Sequence, residues 1–138
     1  MPDDEILELL AEAAQAMSCA YAPYSDYPVG AAVRSEDGHV YSGCNVENVS
    51  YGLTNCAERS AVFSAVREGR RSLSAVAVVS ADDPLPYPCG ACRQVLSEFC
   101  RPECPIYIAG RQRLKDYRQT TLGELLPRAF RSIGRDTA

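Results

Sequence analysis

The chain has 138 residues, 46% hydrophobic and 23% charged, and a formal net charge of −4. That is enough to build a core, and too acidic a balance for the basic stripe that tracks nucleic-acid phosphates. No apolar run approaches the ~20 residues that span a bilayer. The Met1-Pro2-Asp3-Asp4-Glu5 start is the opposite of a basic signal-peptide start, so a cytoplasmic protein with neither membrane nor nucleic-acid partners is expected.

From residue 3 to about residue 19, Ile6, Leu7, Leu10, Ala13, Ala14 and Met17 fall on one helical face. Acids open that segment, where the helix dipole favours them. Tyr21-Ala22-Pro23-Tyr24-Ser25-Asp26-Tyr27-Pro28 is a loop, because two prolines interrupt it. Residues 29–34 and 39–45 then read as short strands, with Ser35-Glu36-Asp37-Gly38 as the hairpin turn. A second helix begins near Asn55 or Cys56 and stops at Gly69, a suitable C-cap.

Residues 73–80 are valine-rich without polar alternation, the pattern of a strand covered on both faces. A proline-rich loop over 81–88 leads to a third helix, which follows Cys89 and ends near Cys100; residues 105–109 form a further strand. Thr121, with Glu124 three residues later, fits a capping box opening a short last helix. No repeat or linker divides the chain, so 1–138 is read as one α/β layered domain.

Seven cysteines, an odd number without a secretory mark, favour metal binding and free thiols over a disulfide framework. Cys56-Ala57-Glu58 and Pro88-Cys89-Gly90-Ala91-Cys92 stand out. Thiolates select zinc over hard cations, and three protein ligands leave an open position, which is the catalytic arrangement. Cys56 and Cys89 fall where helices are predicted to start, and Cys92 lies in the turn after Cys89, so helix N-termini would stabilise all three thiolates. Arg59, and Arg93 with it, would offset the excess negative charge, Arg59 by donating to a ligand sulfur. Glu58 reaches the same centre only if Cys56 is the cap and Glu58 turns back from the first turn; by spacing alone it is equally a dipole-favouring glutamate. Cys19, Cys44, Cys100 and Cys104 read as plain buried thiols. His39, the single histidine, reads as a solvated strand residue rather than a ligand.

Asn55-Cys56-Ala57-Glu58-Arg59-Ser60-Ala61 and Pro88-Cys89-Gly90-Ala91-Cys92-Arg93-Gln94 closely resemble the two signatures of the small homotetrameric cytidine deaminases. The resemblance extends to Tyr21–Ser25, to Val29-Gly30-Ala31-Ala32, to Gly43-Cys44-Asn45-Val46-Glu47-Asn48 and to Glu124-Leu125-Leu126-Pro127. It implies a three-layer α/β/α fold with a mixed sheet of about five strands, a homotetramer, and one zinc per subunit on Cys56, Cys89 and Cys92. It also implies hydrolysis of cytidine and 2′-deoxycytidine at C4 by water activated on that zinc, with Glu58 passing the proton to the ring nitrogen and assisting the departure of ammonia.

By the same resemblance Asn45 and Glu47 bind the ribose hydroxyls, Val46 contributes backbone between them, and the Ala57 N–H meets the pyrimidine O2. Tyr27 stands where the family usually places a phenylalanine against the base, and its hydroxyl needs a partner if buried. Phe130 matches an aromatic that reaches a neighbouring subunit's pocket; Tyr51 and Gln94 are weaker interface and site-support candidates. Two alternatives stand beside this. One is deamination of a related aminopyrimidine of the blasticidin type. The other is a non-catalytic module whose structural zinc takes a fourth ligand from Cys44, Cys100 or Cys104.

Overall fold

The computed structural model of the chain describes residues 1–81 and 84–130. Helix α1 (Asp3–Met17) is followed by β1 (Gly30–Ser35), β2 (Val40–Cys44), α2 (Ala57–Arg67), β3 (Leu73–Ser80), α3 (Gly90–Phe99), β4 (Pro105–Gly110), β5 (Arg118–Thr121) and the single turn α4 (Leu122–Leu125). The five strands form one sheet in the order β2-β1-β3-β4-β5. β1 pairs antiparallel with both β2 and β3, β3 with β4 is parallel, and β4 with β5 is antiparallel.

The alternation of side chains along each strand makes the layers. Ala31 and Val33 of β1, Val76 and Val78 of β3, and Ile106 and Ile108 of β4 pack with Ala61, Val62 and Ala65 of α2 and Leu96 of α3. Their neighbours Ala32, Ala75, Ala77, Val79, Tyr107 and Ala109 face the other way, onto Ile6, Leu9, Leu10, Ala13 and Met17 of α1. α1 therefore covers one face of a mixed sheet, and α2 with α3 the other. The valine-rich run 73–80 is buried on both faces, as its lack of alternation requires.

Two glycines set how closely helices sit on the sheet. A Cβ at Gly30 would lie 1.9 Å from the carbonyl oxygen of Ala13, so α1 rests directly on β1. A Cβ at Gly43 would lie 2.6 Å from the Ala61 nitrogen and 2.7 Å from the Ser60 Cβ, so α2 rests directly on β2.

Several boundaries differ from the sequence reading. α1 ends at Met17 rather than near residue 19, because Ser18 turns its hydroxyl back onto the Gln15 carbonyl at 2.6 Å. β5 carries polar side chains along an edge and gave no hydrophobic pattern to read. Thr121 Oγ1 accepts the Glu124 N–H at 3.2 Å, opening α4 as anticipated, while the Glu124 carboxylate meets the threonine hydroxyl. Cys100 and Cys104 are buried as expected, but Cys19 is exposed and Cys44 only half-buried. Cys19 lies in the turn beyond α1, and Cys44 ends an edge strand. Residues 82 and 83 of the proline-rich loop lie outside the described residues.

Candidate active site

Cys56 is the N-cap of α2 and Cys89 the N-cap of α3, both extended, and neither caps its helix with its sulfur. Their side chains are thus free to face each other across the two helix starts, with Cys92 in the first turn of α3. The Cys56 and Cys89 sulfurs are 3.9 Å apart, and those of Cys89 and Cys92 3.5 Å. All three lie within 4.8 Å of one another. Zn–S bonds of about 2.3 Å at tetrahedral angles place ligand sulfurs about 3.8 Å apart, close to the two sulfur separations that involve Cys89. Among the described residues no further histidine, cysteine or carboxylate joins this group. Cys44, Cys100 and Cys104 stand outside it, which leaves the structural-zinc alternative without its fourth cysteine.

Helix ends and Arg59 supply the compensating charge. Arg59 Nη2 donates to Cys56 Sγ at 3.2 Å. In the metal-free chain a hydrogen bond from Cys92, together with Arg59, draws the Cys56 thiol down to about 5; Cys92, holding the proton of that bond, is pushed up. Arg93 does not share this work. Its Nε donates to the Pro88 carbonyl at 2.7 Å and its Nη1 to the Leu125 carbonyl at 2.8 Å, which ties the approach to Cys89 onto the end of α4.

Glu58, the second residue of α2, is 5% exposed. Because Cys56 is the cap, Glu58 shares a cavity of about 330 Å³ with Cys56, Ala57 and Cys89. Burial raises its carboxyl to about 7, and the Cys56 thiolate adds to the rise.

The opposite wall comes from the end of β2. Val46 exchanges two 2.9 Å backbone bonds with Asn55, the residue before Cys56, and so brings Asn45 and Glu47 beside the thiols. The Val46 side chain is exposed, and its backbone makes the connection. Asn45, 8% exposed, accepts the Val29 N–H on Oδ1 at 2.9 Å and donates from Nδ2 to the Tyr27 carbonyl at 3.0 Å. Glu47 Oε1 accepts the N–H groups of Tyr24 (2.9 Å) and Ser25 (3.1 Å), and Oε2 accepts the Ser25 hydroxyl. These bonds, the hydroxyl first, hold its carboxyl below the ordinary range. Each side chain keeps unused hydrogen-bonding capacity, and both line the cavity.

Tyr27 lines the same cavity, and its hydroxyl has found partners in Ser80 Oγ and the Pro84 carbonyl, each at 2.9 Å. Sequence reasoning gave no role to Ser25, Thr54, Pro84, Leu85, Pro86 and Tyr87, which complete the lining. That stretch was legible as a proline-rich loop, but nothing marked it as a wall. Gln94 Nε2 donates to the Phe130 carbonyl at 3.1 Å, while the Phe130 ring is 78% exposed. Tyr51 is 74% exposed and meets Tyr24 edge-on at 5.9 Å. His39 stands just before β2, paired with Asp37 and Arg70 and apart from the thiols.

A three-thiol centre at two helix ends, with a protonatable carboxyl beside it, defines a zinc-dependent hydrolase. Comparison with known proteins narrows the class. Residues 3–108 match the family described as the cytidine and deoxycytidylate deaminase zinc-binding region, and the chain belongs to this family of zinc-dependent deaminases. It is 50% identical over 127 residues to a cytidine deaminase of Sporosarcina psychrophila, covering 91% of each chain. Against a cytidine deaminase of Mycobacterium tuberculosis it is 46% identical over 132 residues, covering 94% of this chain and 92% of the other. The crystal structure of a cytidine deaminase from Burkholderia pseudomallei superposes with a TM-score of 0.83 at 49% identity, over 89% of this chain and 97% of that one.

Proposed function

We propose that this chain is one cytidine deaminase domain that hydrolyses cytidine and 2′-deoxycytidine to uridine and 2′-deoxyuridine with release of ammonia, as in pyrimidine salvage. The observation that carries the reading is the placing of Glu58, buried and shifted to about 7, in one cavity with Cys56, Cys89, Asn45 and Glu47. Cys56, Cys89 and Cys92 would hold zinc, which when bound would supply the Lewis acidity that brings the ionisation of water towards neutral pH.

Glu58 handles the protons. Water adds its oxygen to C4 of the base while Glu58 carries a proton to N3. The second proton then goes to the departing amino group, which leaves as ammonia, and the carboxyl ends as it began. The same buried carboxyl serves both directions of transfer. The first-turn N–H of Ala57 lies at a helix end without a side-chain cap, which supports its use as the donor to O2 of the base.

The family name spans nucleosides and a nucleotide. The described residues lining the cavity include no lysine or arginine and two carboxylates, Glu47 and Glu58. A phosphate would meet repulsion there, so the substrate is the nucleoside. Asn45 and Glu47, already immobilised by backbone bonds, offer their remaining capacity to the ribose.

The exposed rings of Tyr51 and Phe130 suit contacts with neighbouring copies, and a homotetramer in which Phe130 reaches an adjacent cavity is the assembly proposed. A cytoplasmic location is proposed with it; no helix among the described residues is long and apolar enough to cross a membrane. Ammonia release from cytidine, deoxycytidine, cytosine and blasticidin S by zinc-loaded protein tests the reading. Turnover of both nucleosides with little on cytosine supports it. Turnover of blasticidin S alone replaces the substrate, and no turnover at all overturns the reading.

A further inference from the structure

Tyr27 is held at both ends, and the two ends bond to different stretches of the cavity lining. At its backbone, the N–H donates to Ser25 Oγ at 3.0 Å, and that hydroxyl is the one bound to Glu47. Its carbonyl accepts from Asn45 Nδ2 at 3.0 Å. At the far end the phenol oxygen stands 2.9 Å from Ser80 Oγ, where β3 ends, and 2.9 Å from the Pro84 carbonyl, where the wall of Pro84, Leu85, Pro86 and Tyr87 begins. We propose that Tyr27 is a strut in which the hydroxyl latches the Pro84–Tyr87 wall to the ribose side of the cavity, making it a positioning residue for nucleoside binding. The binding role rests on the deaminase reading of the cavity; the latch itself does not.

Proton accounting shows which bond matters. Ser80 Oγ also lies 2.9 Å from the Ala81 carbonyl, so two hydroxyl protons face three contacts. In two of the three arrangements Tyr27 donates to Pro84, while Ser80 donates either to Tyr27 or to Ala81. In the third, Tyr27 donates to Ser80 and Ser80 to Ala81, and the wall is not held. A phenylalanine at this position fills the same space and satisfies neither Ser80 nor Pro84, so the ring alone cannot latch. Removing the Ser80 hydroxyl leaves Tyr27 with Pro84 as its acceptor, which keeps the latch closed.

The wall runs directly into Pro88 and Cys89, yet the thiols have their own anchorage at the starts of α2 and α3. Loss of the latch is therefore expected to act on binding more than on chemistry. One lost hydrogen bond corresponds to roughly a 3- to 10-fold effect.

The experiment compares wild type, Tyr27→Phe and Ser80→Ala as zinc-loaded protein, with two readouts. Amide hydrogen exchange at Leu85 and at Tyr87, whose N–H donates to the Leu85 carbonyl at 3.0 Å, reports the wall without reference to activity. Steady-state kinetics on cytidine report KM and kcat separately. The proposal expects faster exchange in Tyr27→Phe, KM raised about 3- to 10-fold with kcat and zinc content within about twofold, and a smaller rise in Ser80→Ala. Unchanged exchange in Tyr27→Phe overturns the latch. Faster exchange with unchanged KM overturns its role in binding, and loss of zinc overturns the claim that it acts apart from the metal centre. If wild type turns over no nucleoside, the deaminase reading fails while exchange still tests the latch.

Discussion

Arg59 places Nη2 3.2 Å from the sulfur of Cys56, three residues earlier, at the cap of the same helix. One turn of α2 thus carries a thiol of the metal-binding trio, the buried carboxyl proposed to handle protons and a cation bonded to that thiol. Three thiolates on a dication leave a net negative centre, which would blunt zinc as a Lewis acid. A guanidinium on one sulfur, with the dipoles of α2 and α3, would offset part of that charge when the metal is bound.

Arg59→Gln should therefore weaken zinc binding by about 10- to 100-fold, the usual scale for loss of a ligand's hydrogen-bond partner. The pH dependence follows from the thiol. A hydrogen bond from Cys92 and the neighbouring Arg59 hold Cys56 down at about 5 in the metal-free chain. Without Arg59 the thiol moves up, so protons compete with zinc over a wider range and the loss is larger at pH 6 than at pH 8. Chelator competition at the two pH values reads it; equal affinity in mutant and wild type at both would count against the charge argument.

Glu58→Gln should leave a folded, zinc-loaded protein with turnover down at least 10²- to 10⁴-fold, the contribution typical of a positioned acid–base group. The same change should stabilise the metal-free protein at neutral pH. Burial raises the folded-state carboxyl from 4.5 to about 7, so between those values the native chain binds more protons than the unfolded one, and stability falls as pH rises through that window. Glutamine cannot ionise and escapes the loss. The mutant's advantage in chelator-treated protein should be absent near pH 4.5 and grow to the order of 1–3 kcal/mol above pH 7. Thermal unfolding across that range checks the sign.

Much of this was legible because local chemistry and tertiary role agreed. The valine run of β3 had to be buried on both faces, and Cys56 and Cys89 lay where helices had to start. Spacing could not say whether Glu58 would point back to its cap, because that depends on where α2 begins to within one residue. The sequence reading groups Arg93 with Arg59 as a compensating charge, but the Pro88 and Leu125 carbonyls, 37 positions apart along the chain, claim its guanidinium. β5 was silent because an edge strand exposes both its polar side chains and one set of backbone groups. The walls around Tyr27 were silent because they depend on contacts between segments more than fifty residues apart.

Glu47→Gln should separate ribose recognition from chemistry. Glutamine keeps one carbonyl oxygen for the N–H groups of Tyr24 and Ser25, and its amide can donate to Ser25 Oγ, so the loop stays in place. What changes is the charge and acceptor capacity left for a sugar hydroxyl. KM for cytidine and deoxycytidine should rise about 10-fold or more, while the weak reaction with free cytosine stays as it was. A parallel loss on cytosine would show instead that Glu47 shapes the base side of the cavity. Asn45→Ala is a poorer probe, since it also strips partners from the Val29 N–H and the Tyr27 carbonyl.

Gly43→Ala tests whether the sheet positions the metal centre. The added Cβ would sit 2.6 Å from the Ala61 nitrogen, 2.7 Å from the Ser60 Cβ and 2.9 Å from the Ala57 carbonyl oxygen, all in the first turns of α2. Two of these atoms are backbone, so the strain is relieved only by moving α2 away from β2. Overpacking of this kind costs about 1–3 kcal/mol, which a five-stranded sheet packed on both faces should survive. The start of α2 holds Cys56 and Glu58, whereas Cys89 and Cys92 belong to α3, so a shift of α2 alone opens the thiol trio. Zinc affinity and kcat should therefore fall together, at temperatures where the variant is still fully folded by circular dichroism. Gly52→Ala, with open space around its Cβ, supplies the control for the substitution itself. If Gly43→Ala lost stability but kept both zinc and kcat, α2 would have to be positioned from the α3 side, and the β2 contact would be packing alone.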